Sequence, residues 1–590
     1  MPRFVRAPLI GVAILTAGAL VHVWAFPDEV TCAARVPLKV VSSTEKSDLL
    51  GELATDYNKA ERPPGSTCAQ VSVVPVSSGI AEGILAGDPD HDPVITDADR
   101  ADVKGAQVWT PSSAFWLDRL YADSGGRTSF RRLKLHSLAR SPLVLAMPAA
   151  LEHDLGWDAQ PPTWRAAMDA LRAGKLNYTQ ENPRASTSGA MATYLTYAAG
   201  AADAAGRLPL ADLTEERVAG LGGFVRDVQQ AANGGFQNDS TDILRVWSRR
   251  LPERTMIMIQ EQMVEGYNAG AYATFVGEKP EIIRPATPLV AVHPVAPGSA
   301  TRESIVADHP YVTLPGVSTT VAAAAEDFRL YVMEHWDRLC TAGFQSPVGS
   351  DPADCAVAKH IAADVQSLTL PDSKVQSIMA GAWWTMRSTR RITIAMDVSG
   401  SMQDTRLAEA AGAVRQAVEG LRDQDEVEIY RFAGTAQYTN PYWLLRPLGS
   451  KSADLGPITT PPAKGAAKFT AVYRTVDDLY REVSRRHRES GDNTLDVLIV
   501  LSDGIQDWNP KDHTTATSVC AGWRRAKLTP VPVYTIHYDP ADNIYPPARA
   551  EAGREALGQF AGCSGAPGST KQSTGKSPLK TVFSQVMGSL

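Results

Sequence analysis

From position 36 onward, short runs of β-branched and aliphatic residues alternate with stretches whose apolar positions recur every three or four residues. The first pattern fits a strand and the second an amphipathic helix. Strands are predicted over 36–42, 71–76, 143–147 and 289–293, and helices over 46–60, 114–121, 164–172, 190–202, 213–232 and 321–336. The alternation predicts an α/β fold. Most of these strands run into a Ser/Thr/Gly turn: Ser42, Ser43 and Thr44; Ser77, Ser78 and Gly79; Ser112 and Ser113; Ser186, Thr187, Ser188 and Gly189. In an open α/β sheet, ligands collect at the carboxyl ends of strands, where helix N-termini offer unpaired N–H groups. These hydroxyls are therefore candidate ligand-binding residues, against the alternative that each serine only caps its helix.

Between 344 and 390 the texture changes. Residues 345–354 are rich in Ser, Pro, Gly and Asp, and a helical stretch then runs through Trp383 and Trp384. A second α/β pattern follows. A buried-strand run over 391–396 ends in Asp397-Val398-Ser399-Gly400-Ser401, and a helix starts near Arg406. Strands over 427–432 and 438–445 flank Ala433-Gly434-Thr435, which is hairpin chemistry. Thr470 opens a helix over 471–487; the run 495–501 ends in Ser502-Asp503-Gly504; 531–538 is a further strand and 581–587 a helix. The division expected is a terminal segment over 1–30, one module over 36–345, a linker over 346–388 and a second module over 389–590.

Asp397, Ser399, Ser401, Thr470 and Asp503 are five hard oxygen donors on three loops leaving one edge of the predicted sheet. Such a set suits Mg²⁺ or Mn²⁺ rather than zinc, because Mg²⁺ takes six oxygens at about 2.0–2.1 Å and keeps waters. Gly400 lets the first loop turn tightly enough for its three donors to converge. Taken alone, an Asp-x-Ser-x-Ser is also a helix N-cap.

Two resemblances follow from these residues. Val76-Ser77-Ser78-Gly79, the run from Val108 to Ser113, Ser141-Pro142-Leu143-Val144, Asn182-Pro183 ahead of Ser186, and Asp308-His309-Pro310-Tyr311 resemble the type 2 periplasmic solute-binding fold, in particular its oxyanion-binding branch. That implies a two-lobed module with a cleft for a small polar or anionic solute. Asp397-Val398-Ser399-Gly400-Ser401 resembles the metal ion-dependent adhesion site of the von Willebrand factor type A domain, a Rossmann-like fold. The resemblance implies direct ion binding by Ser399 and Ser401, binding by Thr470 directly or through water, and binding by Asp397 and Asp503 largely through water. It also implies an open position for an acidic side chain of a protein partner. The family often has Gly before the threonine, whereas Lys468-Phe469 precede Thr470, and Thr475 falls inside the helix.

The N-terminus adds a compartment. Arg3 and Arg6 precede an uncharged, largely apolar stretch over 7–26. At about 1.5 Å per residue it is long enough for a bilayer core, so an uncleaved single-pass anchor is favoured over a cleaved signal, with the rest of the chain outside the cytoplasm. The alternatives are a secreted chain, for which Val23-Trp24-Ala25 offers a cleavage site, and a buried helix. Six cysteines in an oxidising compartment suggest disulfides. Pairing neighbours gives Cys32–Cys68, Cys340–Cys355 and Cys520–Cys563, against buried thiols kept for packing.

Composition removes other classes. The 590 residues exceed one domain, and a net charge of −7 without a block of one sign argues against a nucleic-acid binder. No G-x-S-x-G, H-E-x-x-H or complete P-loop occurs; Gly575-Lys576-Ser577 lacks the leading glycine, since position 570 is Thr. A non-enzymatic protein is expected, joining metal-dependent protein binding to a solute-binding module. The alternatives are a transport-type receptor whose type A domain docks a membrane partner, and a chelatase or AAA+ accessory protein, which would work inside the cell.

Overall fold

The computed structural model describes residues 35–59, 69–87, 95, 97–131, 133–237, 239–249, 251–252, 254–272, 284–347, 364–386, 389–402, 405–433, 441–451, 471–490, 494–505, 514–538, 546–564, 570–573 and 579–588. The apolar stretch over 7–26, Cys32, Cys68, Cys355 and Thr470 lie outside these residues. No described helix is long and apolar enough to cross a membrane.

In the N-terminal half the strands are β1 (Val36–Ser42), β2 (Ala69–Pro75), β3 (Val108–Thr110), β4 (His136–Ser137), β5 (Ser141–Pro148), β6 (Asn177–Glu181), β7 (Ala232–Gln237), β8 (Thr255–Gln260), β9 (Leu289–Val292), β10 (Glu303–Ser304), β11 (Val306–Ala307), β12 (Pro310–Thr313) and β13 (Gln366–Ser367). They build two main sheets of matching plan. The first runs β2-β1-β3-β12-β4, with β1 parallel to β2 and β3 and with β12 antiparallel. The second runs β11-β5-β8-β6-β7, with β6 parallel to β7 and β8 and with β5 antiparallel to β8, β9 and β11. β5 and β8 are buried along almost their whole length. That is why they read as continuous apolar runs without alternation.

The chain passes from the first sheet to the second between β4 and β5 and returns between β11 and β12, so two short crossings join two lobes. The expected helix over 213–232 is two helices, Glu215–Gly220 and Gly222–Gln230, followed by β7. Leu221 adopts the shared cap between them, and Gly222 and Gly223 stand where a continuous helix is weakest. In the stretch expected as linker, β13 pairs with β10, and Val375 and Met379 of the helix Ser373–Met386 join the core of the N-terminal half.

The C-terminal half holds β14 (Arg390–Asp397), β15 (Glu426–Phe432), β16 (Tyr442–Ser450), β17 (Leu495–Ser502), β18 (Val533–Tyr538) and β19 (Thr570–Ser573) in one sheet of order β16-β15-β14-β17-β18-β19. Only β16 is antiparallel. The helices Thr405–Glu419 and Leu579–Gly588 cover one face, and Val472–Ser490, Ala516–Arg525 and Pro547–Cys563 cover the other. The winding reverses between β14 and β17, and a doubly wound sheet opens its ligand crevice at such a reversal, at the carboxyl ends of the strands. Asp397 ends β14 and Ser502 ends β17.

Candidate functional site

Two sites sit at strand carboxyl ends, one in each half. In the C-terminal half, Asp397 is fully buried, and its carboxylate is held from both sides. The Ser399 backbone N–H donates to Oδ1 at 2.9 Å, and Ser502 Oγ donates to Oδ2 at 2.6 Å. Gly400 opens a 3₁₀ turn over Gly400–Met402 that brings Ser399 Oγ and Ser401 Oγ to 3.1 Å from each other. Arg406, at the start of the following helix, fixes the turn by donating to the Ser401 carbonyl at 2.6 Å.

Asp503 follows β17. Its Oδ1 accepts from the Ile505 N–H at 3.1 Å, and the Gly504 N–H donates to Ser502 Oγ at 3.0 Å. Gly504 has φ +75°, and a Cβ there would lie 2.2 Å from the Gly553 carbonyl, so the loop seats on the helix Pro547–Cys563 only without a side chain. Burial, then the neighbouring Asp503 charge, push the Asp397 carboxyl up to about 7, while hydrogen bonds from Ser399 and Ser502 act the other way. Two mutually repelling carboxylates beside two adjacent hydroxyls form an all-oxygen donor set that a hard divalent cation would neutralise. The residues present therefore fit such an ion. Among the described residues no group of three or more His, Cys, Asp or Glu is placed to hold a metal ion, so any ion here would depend on the serines.

The second site is the cleft between the two lobes, with about 250 Å³ of empty volume, part of it open to solvent. Ser77, Ser78, Ser112, Ser186, Thr187 and Ser188 line it together, whereas Ser42, Ser43 and Ser113 do not. Ser42 Oγ bonds the Ser43 carbonyl, Ser43 Oγ donates to Glu45 Oε1 at 2.6 Å, and Ser113 turns to Asp308. The capping alternative holds for Ser186, whose Oγ accepts from the Gly189 N–H, but not for Ser77, which makes no side-chain cap bond.

The lobes touch directly across the cleft. Trp116 Nε1 donates to Thr187 Oγ1 and the Gly79 N–H donates to the Ala185 carbonyl, each at 2.8 Å.

Sequence reasoning missed the acidic side of this cleft: Glu45, Glu181 and Asp239 line it with Thr44, Ser240 and Gln260. Glu45 Oε1 also accepts from Ser112 Oγ at 2.7 Å, and Glu181 accepts from Ser186 and Ser240. Burial pushes Glu181 up to about 8 and Asp239 up to about 6. A signal was present, since Glu45 follows Thr44 in the first turn of one helix and Asp239 directly precedes Ser240 at the start of another, but acids at helix starts are common for the helix dipole alone. His309 backs this wall, fully buried, at φ +38°, with Nδ1 3.5 Å from Glu45 Oε1. Burial holds its imidazole well below the usual histidine range.

Cys520 and Cys563 form a disulfide. Cys340 is also disulfide-bonded, to a partner outside the described residues.

No family model matches the chain, and no curated protein does. Among solved structures, the sulfate-binding protein SubI from Mycobacterium tuberculosis is 15% identical over 56% of this chain and 94% of its own, with a TM-score of 0.35. The cyclic α-maltosyl-1,6-maltose binding protein from Arthrobacter globiformis is 10% identical over 60% of this chain and 95% of its own, with a TM-score of 0.34. A von Willebrand factor type A protein from Catenulispora acidiphila is 15% identical over 34% of this chain, with a TM-score of 0.25. The chain spans 42% of that protein's length.

Proposed function

We propose that the chain is a non-enzymatic binding protein, held at the cell membrane by residues 7–26 with its bulk outside the cytoplasm, that captures a protein partner through a divalent ion at Asp397, Ser399, Ser401 and Asp503. Thr470 is assigned to the same ion on the sequence motif. The observation that carries the reading is the pair of hydroxyls 3.1 Å apart beside two buried carboxylates, at the reversal of strand order. Bound there, Mg²⁺ or Mn²⁺ supplies a positive charge to which a partner carboxylate binds. Ser399 and Ser401 contribute no charge, so less of the ion's own is cancelled. Ser502 and the Ser399 N–H orient Asp397, and Arg406 keeps the two hydroxyls together. The disulfides at Cys520–Cys563 and Cys340 support an oxidising compartment.

The test is retention of cell-surface proteins on the immobilised full-length chain in Mg²⁺ and in chelator. A partner retained in Mg²⁺, and lost both in chelator and with Asp503→Ala, supports the reading. Retention that ignores both contradicts it.

The cleft favours a second role beside the first, capture of a small polar solute between the lobes, as in a transport-type receptor. Six of the expected hydroxyls converge there.

A further inference from the structure

Four helices point their N-termini into the interlobe cleft: Thr44–Lys59, Ser78–Ala86, Thr187–Gly200 and Ser240–Arg249. By itself that arrangement would receive an anion. Here the chain's own acids occupy it. Among the described residues every ionisable side chain that lines the cleft is acidic, namely Glu45, Glu181 and Asp239. The nearest buried cation, Lys46, is spent on the wall itself: its ammonium lies 3.6 Å from Glu45 Oε1 and donates to the Thr110 carbonyl at 2.9 Å, to the Pro111 carbonyl at 3.2 Å and to Ser43 Oγ, so it compensates Glu45 and leaves Asp239 without a cation beside it among the described residues.

A helix N-terminus attracts an anion only weakly, whereas an ionised carboxylate at contact distance repels it with a full charge. The Asp239 carboxylate, with no cation beside it among the described residues, is the group that decides against an anion. A second observation points to a ligand that makes hydrogen bonds. Ser188 Oγ is buried, lines the cleft and has no hydrogen-bond partner among the described residues.

We infer that the cleft binds a small ammonium-bearing solute, whose N–H donors meet Glu45, Asp239 and Glu181, rather than a fully deprotonated oxyanion. The inference rests on the solute-capture reading and names its substrate class. A neutral polyol would satisfy the hydroxyls but leave the Asp239 charge uncompensated, and among the described residues none that lines the cleft is aromatic, so they offer a sugar ring no stacking face.

Proton linkage gives a signed readout. Glu181 faces Asp239 and Glu45, accepts from Ser186 and Ser240, and lies near Tyr178. With burial holding Glu181 at about 8, it carries its proton at pH 7, and a cation bound beside it expels that proton to solvent. A bound anion acts in the opposite sense and draws a proton onto Asp239, which burial and the neighbouring Asp242 carboxylate push up to about 6; Asp242 is itself paired with Arg245 and Lys571, and Tyr272 lies beside Asp239.

The experiment is calorimetric titration of the full-length chain at pH 7 with ethanolamine hydrochloride, erythritol and sodium sulfate, each in two buffers of different ionisation heat. Ethanolamine should bind with net proton release. Glu181→Gln should abolish that release and weaken binding by about tenfold or more, and Asp239→Asn should weaken it likewise, with unchanged melting temperatures confirming the fold. Tighter binding of erythritol, or sulfate binding with proton uptake, overturns the cationic assignment and leaves solute capture standing. Binding of none of the three overturns solute capture itself, and the inference with it.

Discussion

Ser502 Oγ donates a 2.6 Å hydrogen bond to Asp397 Oδ2, tying the last residue of β17 to the last residue of β14 across the reversal of strand order. Because the Gly504 N–H donates back to the same hydroxyl, one serine fixes both the carboxylate and the loop that carries Asp503.

Ser502→Ala should therefore weaken Mg²⁺ or Mn²⁺ binding by about 10–100-fold, the usual effect of losing a group that orients a metal ligand. The chain should stay folded. Calorimetric ion titration with a parallel melting curve checks both, and an unchanged affinity would separate Ser502 from the ion.

Gly79 sits where the lobes meet, and a Cβ there would lie 1.9 Å from the Arg184 carbonyl and 2.6 Å from the Trp116 ring. The Arg184 carbonyl belongs to the opposite lobe, so parting the lobes relieves that clash, while the Trp116 ring, on the same lobe as Gly79, has to shift locally. Gly79→Ala should raise the radius of gyration in solution scattering and reduce solute binding, with each lobe's secondary structure intact by circular dichroism. An unchanged radius would show that the lobes do not need this contact.

The raised Glu181 pKa makes stability fall with rising pH. The unfolded chain loses this proton near 4.3 and the folded chain only at about 8, so the contribution is complete below the first value and disappears as pH passes the second. Unfolding free energies from denaturant titrations between pH 5 and 9 should decline for the wild type by a few kcal/mol in total. Glu181→Gln should flatten that decline, and parallel curves for the two chains would contradict the assignment.

Cys520–Cys563 closes a loop with a sequence separation of 43, and the chain-entropy model assigns such a bridge about 4 kcal/mol. Replacing both cysteines by alanine should lower the denaturant midpoint of the C-terminal half. Non-reducing peptide mapping should also find Cys340 joined to Cys355 and Cys32 to Cys68.

Much of the second half was legible because its central strands are buried on both faces and so stand out as unbroken apolar runs ending in oxygen donors, as β14 ends in Asp397 and β17 in Ser502. β19 was not, since Thr570–Ser573 is a short polar edge strand whose pairing with β18 supplies what its composition does not. In the first half, β6 reads Asn-Tyr-Thr-Gln-Glu and carries no apolar run, yet it is the strand that delivers Glu181 to the cleft. The serines were visible as turn residues. The acids were not, because only the tertiary fold turns a first-turn glutamate toward a cleft instead of toward water.

The most direct test of the account is calorimetric titration of Mn²⁺ into the full-length chain beside Asp397→Ala and Ser399→Ala. The wild-type chain should show one site and neither variant a measurable one, with both variants folded. Equal heats from all three chains would contradict it.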